Sequence, residues 1–226
     1  KFGIDTWEKD QLYASIMSCP VFGGKLVSVD DSAVKNRRGV KQVVKLDDAV
    51  AVVADNYWRA NEALKLLKPV WDGGAAAHTD SAGFAKAYRD ALDGPLVTAR
   101  NDGDAKSAIA KSQHVITAEY ETPLLAHATM EPCNATVHLQ KDRLDIWMGS
   151  QSALSNAQMA AEETGLKPEQ IYFHQMYLGG GFGRRTFGDE LRHAIRVAKA
   201  GNIDVPLQLL WSREQDMRAD RYRPQS

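Results

Sequence analysis

Residues 12–18 alternate apolar and polar side chains, Leu-Tyr-Ala-Ser-Ile-Met-Ser, and a period of two predicts a half-buried strand. Pro20 and the Gly23-Gly24 pair end it. Lys25–Val29 predicts a second short strand, after which Asp30-Asp31-Ser32 offers N-cap side chains for a brief helix stopping near Gly39. Val40–Leu46 and Ala49–Ala54 are apolar, β-branched runs and are expected as strands. From Asp55 the period lengthens. Tyr57, Ala60, Leu64 and Leu67 fall on one face of a helix, capped by Asp55 or Asn56 and ended before Pro69. The Gly- and Ala-rich stretch Asp72–Asp80 then reads as a linker, which sets off residues 1–80 as a small α+β domain.

Beyond the linker, Ala82–Leu92 predicts a helix broken by Asp93-Gly94-Pro95, and Ala105–Lys111 another. Val115–Glu121 alternates as a strand does, whereas Leu124–Cys133 is irregular between Pro123 and Pro132. Ala135–Gln140 and Leu144–Met148 read as a hairpin around Lys141-Asp142. Helix Ser152–Glu163, strand Gln170–Tyr177, helix Asp189–Lys199 and strand Pro206–Trp211 complete a second, α/β region over residues 81–226.

The strongest candidate chemistry lies between the strand ending at Tyr177 and the helix starting at Asp189: Gly179-Gly180-Gly181-Phe182-Gly183-Arg184-Arg185. Without Cβ atoms, such a run permits positive φ and lets a ligand approach backbone N–H groups closely. It is not a dinucleotide fingerprint, because Arg184 stands where the third glycine belongs, and no Gly-Lys-Ser/Thr triplet makes it a P-loop. If Leu144–Met148, the following helix and Gln170–Tyr177 form a β-α-β unit, the two strands run parallel and their C-terminal ends share one sheet edge. Gln151 and the glycine loop then lie side by side, where open α/β sheets bind ligands. Arg184 and Arg185 are candidates for phosphate contacts. The plainer alternatives are a tight turn, a polar residue at a helix start and a solvated arginine pair. His127 and Glu131 have the i,i+4 spacing of helical metal ligands, but flanking prolines argue against that helix; Glu131 also suits a buried, hydrogen-bonded carboxylate.

Composition narrows the field. A chain of 226 residues with 44% apolar and 25% charged residues is ordinary for a globular protein. A net charge of −1, with both signs mixed, does not suggest a nucleic-acid partner, and no apolar run is long enough to cross a bilayer. Cys19 and Cys133, each beside a proline, are too few for a four-thiolate cluster and read as buried, inert thiols. Lys1 at the start and the polar run before Ser226 suggest a piece of a longer polypeptide.

Taken together, these residues resemble the molybdenum-binding large subunit of the xanthine dehydrogenase/aldehyde oxidase family, in particular its isoquinoline 1-oxidoreductase beta-subunit group. Pro20-Val21-Phe22-Gly23-Gly24-Lys25 and Val52-Val53-Ala54-Asp55-Asn56-Tyr57-Trp58 resemble the family's α/β hammerhead domain. His127-Ala128-Thr129-Met130-Glu131-Pro132-Cys133-Asn134-Ala135, Gly149-Ser150-Gln151 and Gly179–Arg184 resemble the first part of its cofactor domain.

The resemblance implies hydroxylation of an aldehyde or N-heteroaromatic carbon with water-derived oxygen, using molybdenum–molybdopterin, commonly as the cytosine dinucleotide. It implies that Gln151 bonds an oxo ligand of the metal, and that backbone at Phe182 and Gly183 lies against its oxo and dithiolene groups. Gly179, Gly180, Gly181, Arg184 and Arg185 are the other residues expected at the cofactor. A small [2Fe-2S] partner subunit and a periplasmic location are implied as well. Thr186 stands where purine-oxidising relatives carry glutamate, which argues against a purine substrate. The family's catalytic glutamate lies near the far end of the subunit, so no residue here takes that role and the chain alone is expected to be inactive. The rival reading is a non-catalytic assembly module with a purely structural glycine loop.

Overall fold

The computed structural model describes all 226 residues. The chain forms strands β1 (Leu12–Ser18), β2 (Lys25–Asp30), β3 (Val40–Lys45) and β4 (Ala49–Ala54), helix α1 (Tyr57–Leu64) and strand β5 (Lys68–Asp72). Helices α2 (Ser81–Leu92) and α3 (Ala105–Ala110) follow. Then come β6 (Asn134–Leu139), β7 (Leu144–Met148), α4 (Ala153–Thr164), β8 (Ile171–Gln175), α5 (Asp189–Ala200), β9 (Leu207–Leu210) and α6 (Arg213–Arg218).

Two compact units result: residues 1–77 with 126–221, and residues 78–125 with 222–226. In the larger unit seven strands make one mixed sheet in the order β3-β4-β1-β9-β6-β7-β8, beside a two-stranded ribbon of β2 and β5. The N-terminal strands do not stand apart from the later ones. β1 runs parallel to β9, pairing Leu12 with Leu207 and Ala14 with Leu209. The chain therefore leaves the larger unit near the linker and returns at residue 126, and residue 80 does not close a self-contained sheet.

β4 shows why the sheet holds. All six of its residues are buried. Ala49, Ala51 and Val53 join the main core with Leu191, Ile195 and Met159, while Val50 and Val52 pack with Ala63, Leu64 and Leu67 on the other face. A strand covered on both faces reads as a continuous apolar run, as this one does. α5 supplies Leu191, Ala194, Ile195, Val197 and Ala198 as its buried face.

Several expectations change. Residues 31–37 form turns rather than a helix, with Val34 N–H donating to Asp31 O and Arg37 N–H to Val34 O; so short a segment does not offset the cost of nucleating one. Lys68–Asp72 is a strand in spite of Pro69, because a two-stranded ribbon has outer edges that need no N–H donor. Val115–Glu121 is not a strand: nothing in the smaller unit pairs with it, and Val115, Ile116 and Tyr120 are exposed. Alternation supplies a face but not a neighbour. α6 is a helix where the sequence suggests only a polar run, its start capped by the Ser212 hydroxyl accepting from Gln215 N–H at 3.2 Å. Cys133 is buried, and burial pushes its thiol pKa well up, but Cys19 is only half-buried. No helix is long and apolar enough to cross a membrane.

Candidate functional site

β7 and β8 are parallel, in register from Leu144 opposite Ile171 to Met148 opposite Gln175, with α4 as the crossover. Their C-terminal ends therefore coincide, and the segments leaving them meet. Gln151 N–H donates to Arg185 O at 3.0 Å, and Gln151 Oε1 accepts from Gly183 N–H at 3.0 Å. A Cβ on Gly181 would come within 2.7 Å of Gln151 Cδ and Oε1, so a side chain there would push that amide out of its place against the loop. Ser150 completes the support, its hydroxyl accepting from Ser152 N–H at 2.9 Å and from Asn156 Nδ2 at 2.8 Å.

The loop itself is left-handed at Gly180, Phe182 and Gly183, with φ of +103°, +54° and +97°. For phenylalanine that conformation is uncommon and costs on the order of 1 kcal/mol or more. Its ring points outward, 76% exposed. Arg184 N–H closes a turn onto Gly181 O at 2.9 Å, whereas the N–H groups of Gly180, Gly181 and Phe182 have no acceptor within the chain. Gln151 is exposed, and with Oε1 committed to Gly183 its Nε2 donor, close to Gly181, has no partner within the chain. Four donors thus remain available at one strand edge, which suits an oxo- or phosphate-bearing group.

The arginines do something other than expected. Arg184 is 1% exposed and Arg185 0%, so neither guanidinium reaches outward for phosphate, and the pair is not solvated either. Arg184 lies 3.2 Å from Asp189 and 3.1 Å from Asp220, with its guanidinium 5.4 Å from the Trp211 ring centre. Arg185 donates through Nη2 to Glu131 O at 2.6 Å and Pro132 O at 3.1 Å, and stands 3.4 Å from the Glu131 carboxylate. Buried charges persist where they are paired, and these two tie the loop to Glu131, Pro132, Asp189 and Asp220. Burial tends to raise the Asp189 carboxyl, but the hydrogen bonds from Arg221 and the charge of Arg184 hold it below its ordinary value. Glu190, beneath them and wholly buried, is pushed up by that burial.

His127 and Glu131 do not share a helix or face a common point. His127 Nδ1 is 3.0 Å from Asp220 Oδ1, while Glu131 accepts from Ile4 N–H, Asn134 Nδ2 and Gly179 N–H at 3.0, 3.0 and 2.8 Å. The reading of Glu131 as a buried, hydrogen-bonded carboxylate is the one the structure realises. Its contact with Ile4, 127 residues away along the chain, had no local signal.

Comparison with known proteins bears on this geometry. Residues 90–226 match the family described as molybdopterin cofactor-binding domain. Isoquinoline 1-oxidoreductase subunit beta of Brevundimonas diminuta is 27% identical over 98% of this chain and 29% of its own length. A membrane-bound aldehyde dehydrogenase (pyrroloquinoline-quinone) of Gluconacetobacter polyoxogenes is 28% identical over the whole chain and 30% of its own length. The crystal structure of quinoline 2-oxidoreductase from Pseudomonas putida 86 superposes with a TM-score of 0.73 at 16% identity, covering 99% of this chain and 34% of that one. The chain thus spans about a third or less of the length of the relatives it matches. Within that span the match takes in both Gln151 and the glycine loop, and the chain belongs to the molybdopterin cofactor-binding domain family.

Proposed function

We propose that Gln151 and the Gly179–Gly183 loop form one wall of a molybdopterin site in the large subunit of a molybdenum hydroxylase. The substrates are aldehydes or N-heteroaromatics, and water supplies the oxygen introduced. The observation that carries this reading is the set of unpaired donors: the Gln151 Nε2 group beside the N–H groups of Gly180, Gly181 and Phe182. Unpaired donors close together favour an oxo or phosphate oxygen with little reorganisation when it arrives. When bound, the molybdenum–pterin group supplies two-electron oxidation. This chain's residues bind and orient that group and contribute no general base. Arg184 and Arg185 act from beneath, holding the loop rather than touching the ligand.

Family membership and the names of the aligned relatives support the class of chemistry. The pyrroloquinoline quinone in the Gluconacetobacter name is a different cofactor, and the reading here follows the matched family and the loop. The cytosine form of the pterin, a [2Fe-2S] partner subunit, a hammerhead role for the N-terminal strands and a periplasmic location belong to the same proposal, resting on the resemblance in sequence.

The test is metal and pterin analysis of the purified full-length protein. Equimolar molybdenum and a pterin nucleotide are expected. Gly181→Val, whose side chain would displace the Gln151 amide from the loop, is expected to bind less of both while remaining folded by circular dichroism. A wild-type protein free of molybdenum, or a Gly181→Val variant that keeps it in full, would overturn the assignment.

A further inference from the structure

Glu131 lies outside the loop, yet it holds Gly179 from two sides. Its carboxylate accepts from Gly179 N–H at 2.8 Å, and its own N–H donates to Gly179 O at 3.0 Å. A Cβ on Gly179 would come within 2.3 Å of Glu131 Cβ, so the two backbones meet there only because residue 179 is glycine. The same carboxylate accepts from Ile4 N–H and Asn134 Nδ2, both at 3.0 Å, and stands 3.4 Å from Arg185 Nη2. Donors therefore crowd both oxygens. An ionised carboxylate accepts all of them, whereas an amide would turn an NH₂ group toward one set and leave it facing other donors.

We infer that Glu131 is a positioning residue for the glycine loop. It fixes the entry of the loop at Gly179, as Gln151 fixes the exit at Gly183. The unpaired N–H groups of Gly180, Gly181 and Phe182 lie between these two anchors and are held in place before any ligand arrives. The positional claim stands on these contacts alone. Its consequence for cofactor binding rests on the function proposed above.

Hydrogen exchange separates the two. In the wild-type full-length protein the Gly179 amide is expected to be protected. In Glu131→Gln, exchange of the Gly179 amide, the one loop N–H that Glu131 accepts from, is expected to rise about tenfold or more, as for loss of a hydrogen bond to a charged group, while the β4 amides keep wild-type rates. Bound molybdenum per chain is expected to fall in the same variant. Faster Gly179 exchange with no molybdenum in either protein keeps the role of Glu131 and sinks the cofactor reading. Unchanged Gly179 exchange in Glu131→Gln overturns the inference, and so does a rise shared equally by β4. Should the variant fail to fold, the wild-type Gly179 amide decides: exchange at the unprotected rate overturns the inference, and protection supports it.

Discussion

Arg184 is the residue whose environment most changes its meaning. Next to four glycines it reads as a ligand contact, but burial converts it into a counter-ion for Asp189 and Asp220. Removing one partner of a buried pair leaves the other charge stranded, at a cost of about 3–5 kcal/mol. Arg184→Ala is therefore expected to lower the unfolding free energy by about that much in urea titration. Arg100→Ala, at an exposed ion pair with Asp102, is expected to change it by less than about 1 kcal/mol. Equal effects from the two substitutions would contradict the buried-pair account. No local feature of the sequence distinguishes these arginines. Apart from Asp189, their partners come from residues far along the chain, and burial is a property of the finished fold. Gln151 differs: parallel strands and a single crossover place it beside the loop by topology alone, and it is found there.

At the scale of elements, the strands were the most legible. β1, β4 and β7 have the bounds that their patterns predict, since period and apolar content act locally. β5 was hidden by its proline, and residues 115–121 illustrate the converse, a strand pattern with no pairing partner. Helix α5 carries a consequence for pH. His193 is buried on its core face with its ring 5.6 Å from that of Trp211. Burial depresses its pKa below the ordinary 6.5, only partly opposed by Asp48 and Asp189. The unfolded chain then takes up the proton first as pH falls, so this histidine removes stability below about pH 6.5 until its folded-state pKa is reached. The melting temperature is expected to drop between pH 7.5 and 5.5, and His193→Leu is expected to flatten that slope. A slope unchanged by the substitution would assign the acid sensitivity to other groups.

For the whole molecule, the two units are unlike in how they are held. The larger has a sheet covered on both faces. The smaller has two helices without a buried residue, and Val97 and Ile116 are each 94% exposed. Elements with little buried apolar surface open at low free energy. Limited proteolysis is expected to cut within residues 93–125 well before any site in β4 or β9, as read by mass spectrometry of early fragments. First cuts inside the sheet would refute this ranking. The sequence marked the departure point near residue 77 through its Gly- and Ala-rich composition. It did not show that the chain rejoins the same sheet at residue 126, because strand partnership between distant segments leaves no local trace.

The parallel pairing of β1 with β9 has one more consequence, for synthesis. β1 is synthesised nearly 200 residues ahead of one of its two neighbours, residues 207–210. Until then β1 has β4 on one side and a bare row of amides and carbonyls on the other. Contacts of such long sequence separation form slowly, and an unpaired edge invites wrong partners meanwhile. The nascent chain is therefore most open to mispairing in the interval before β9 appears, and slower translation lengthens that exposure rather than relieving it.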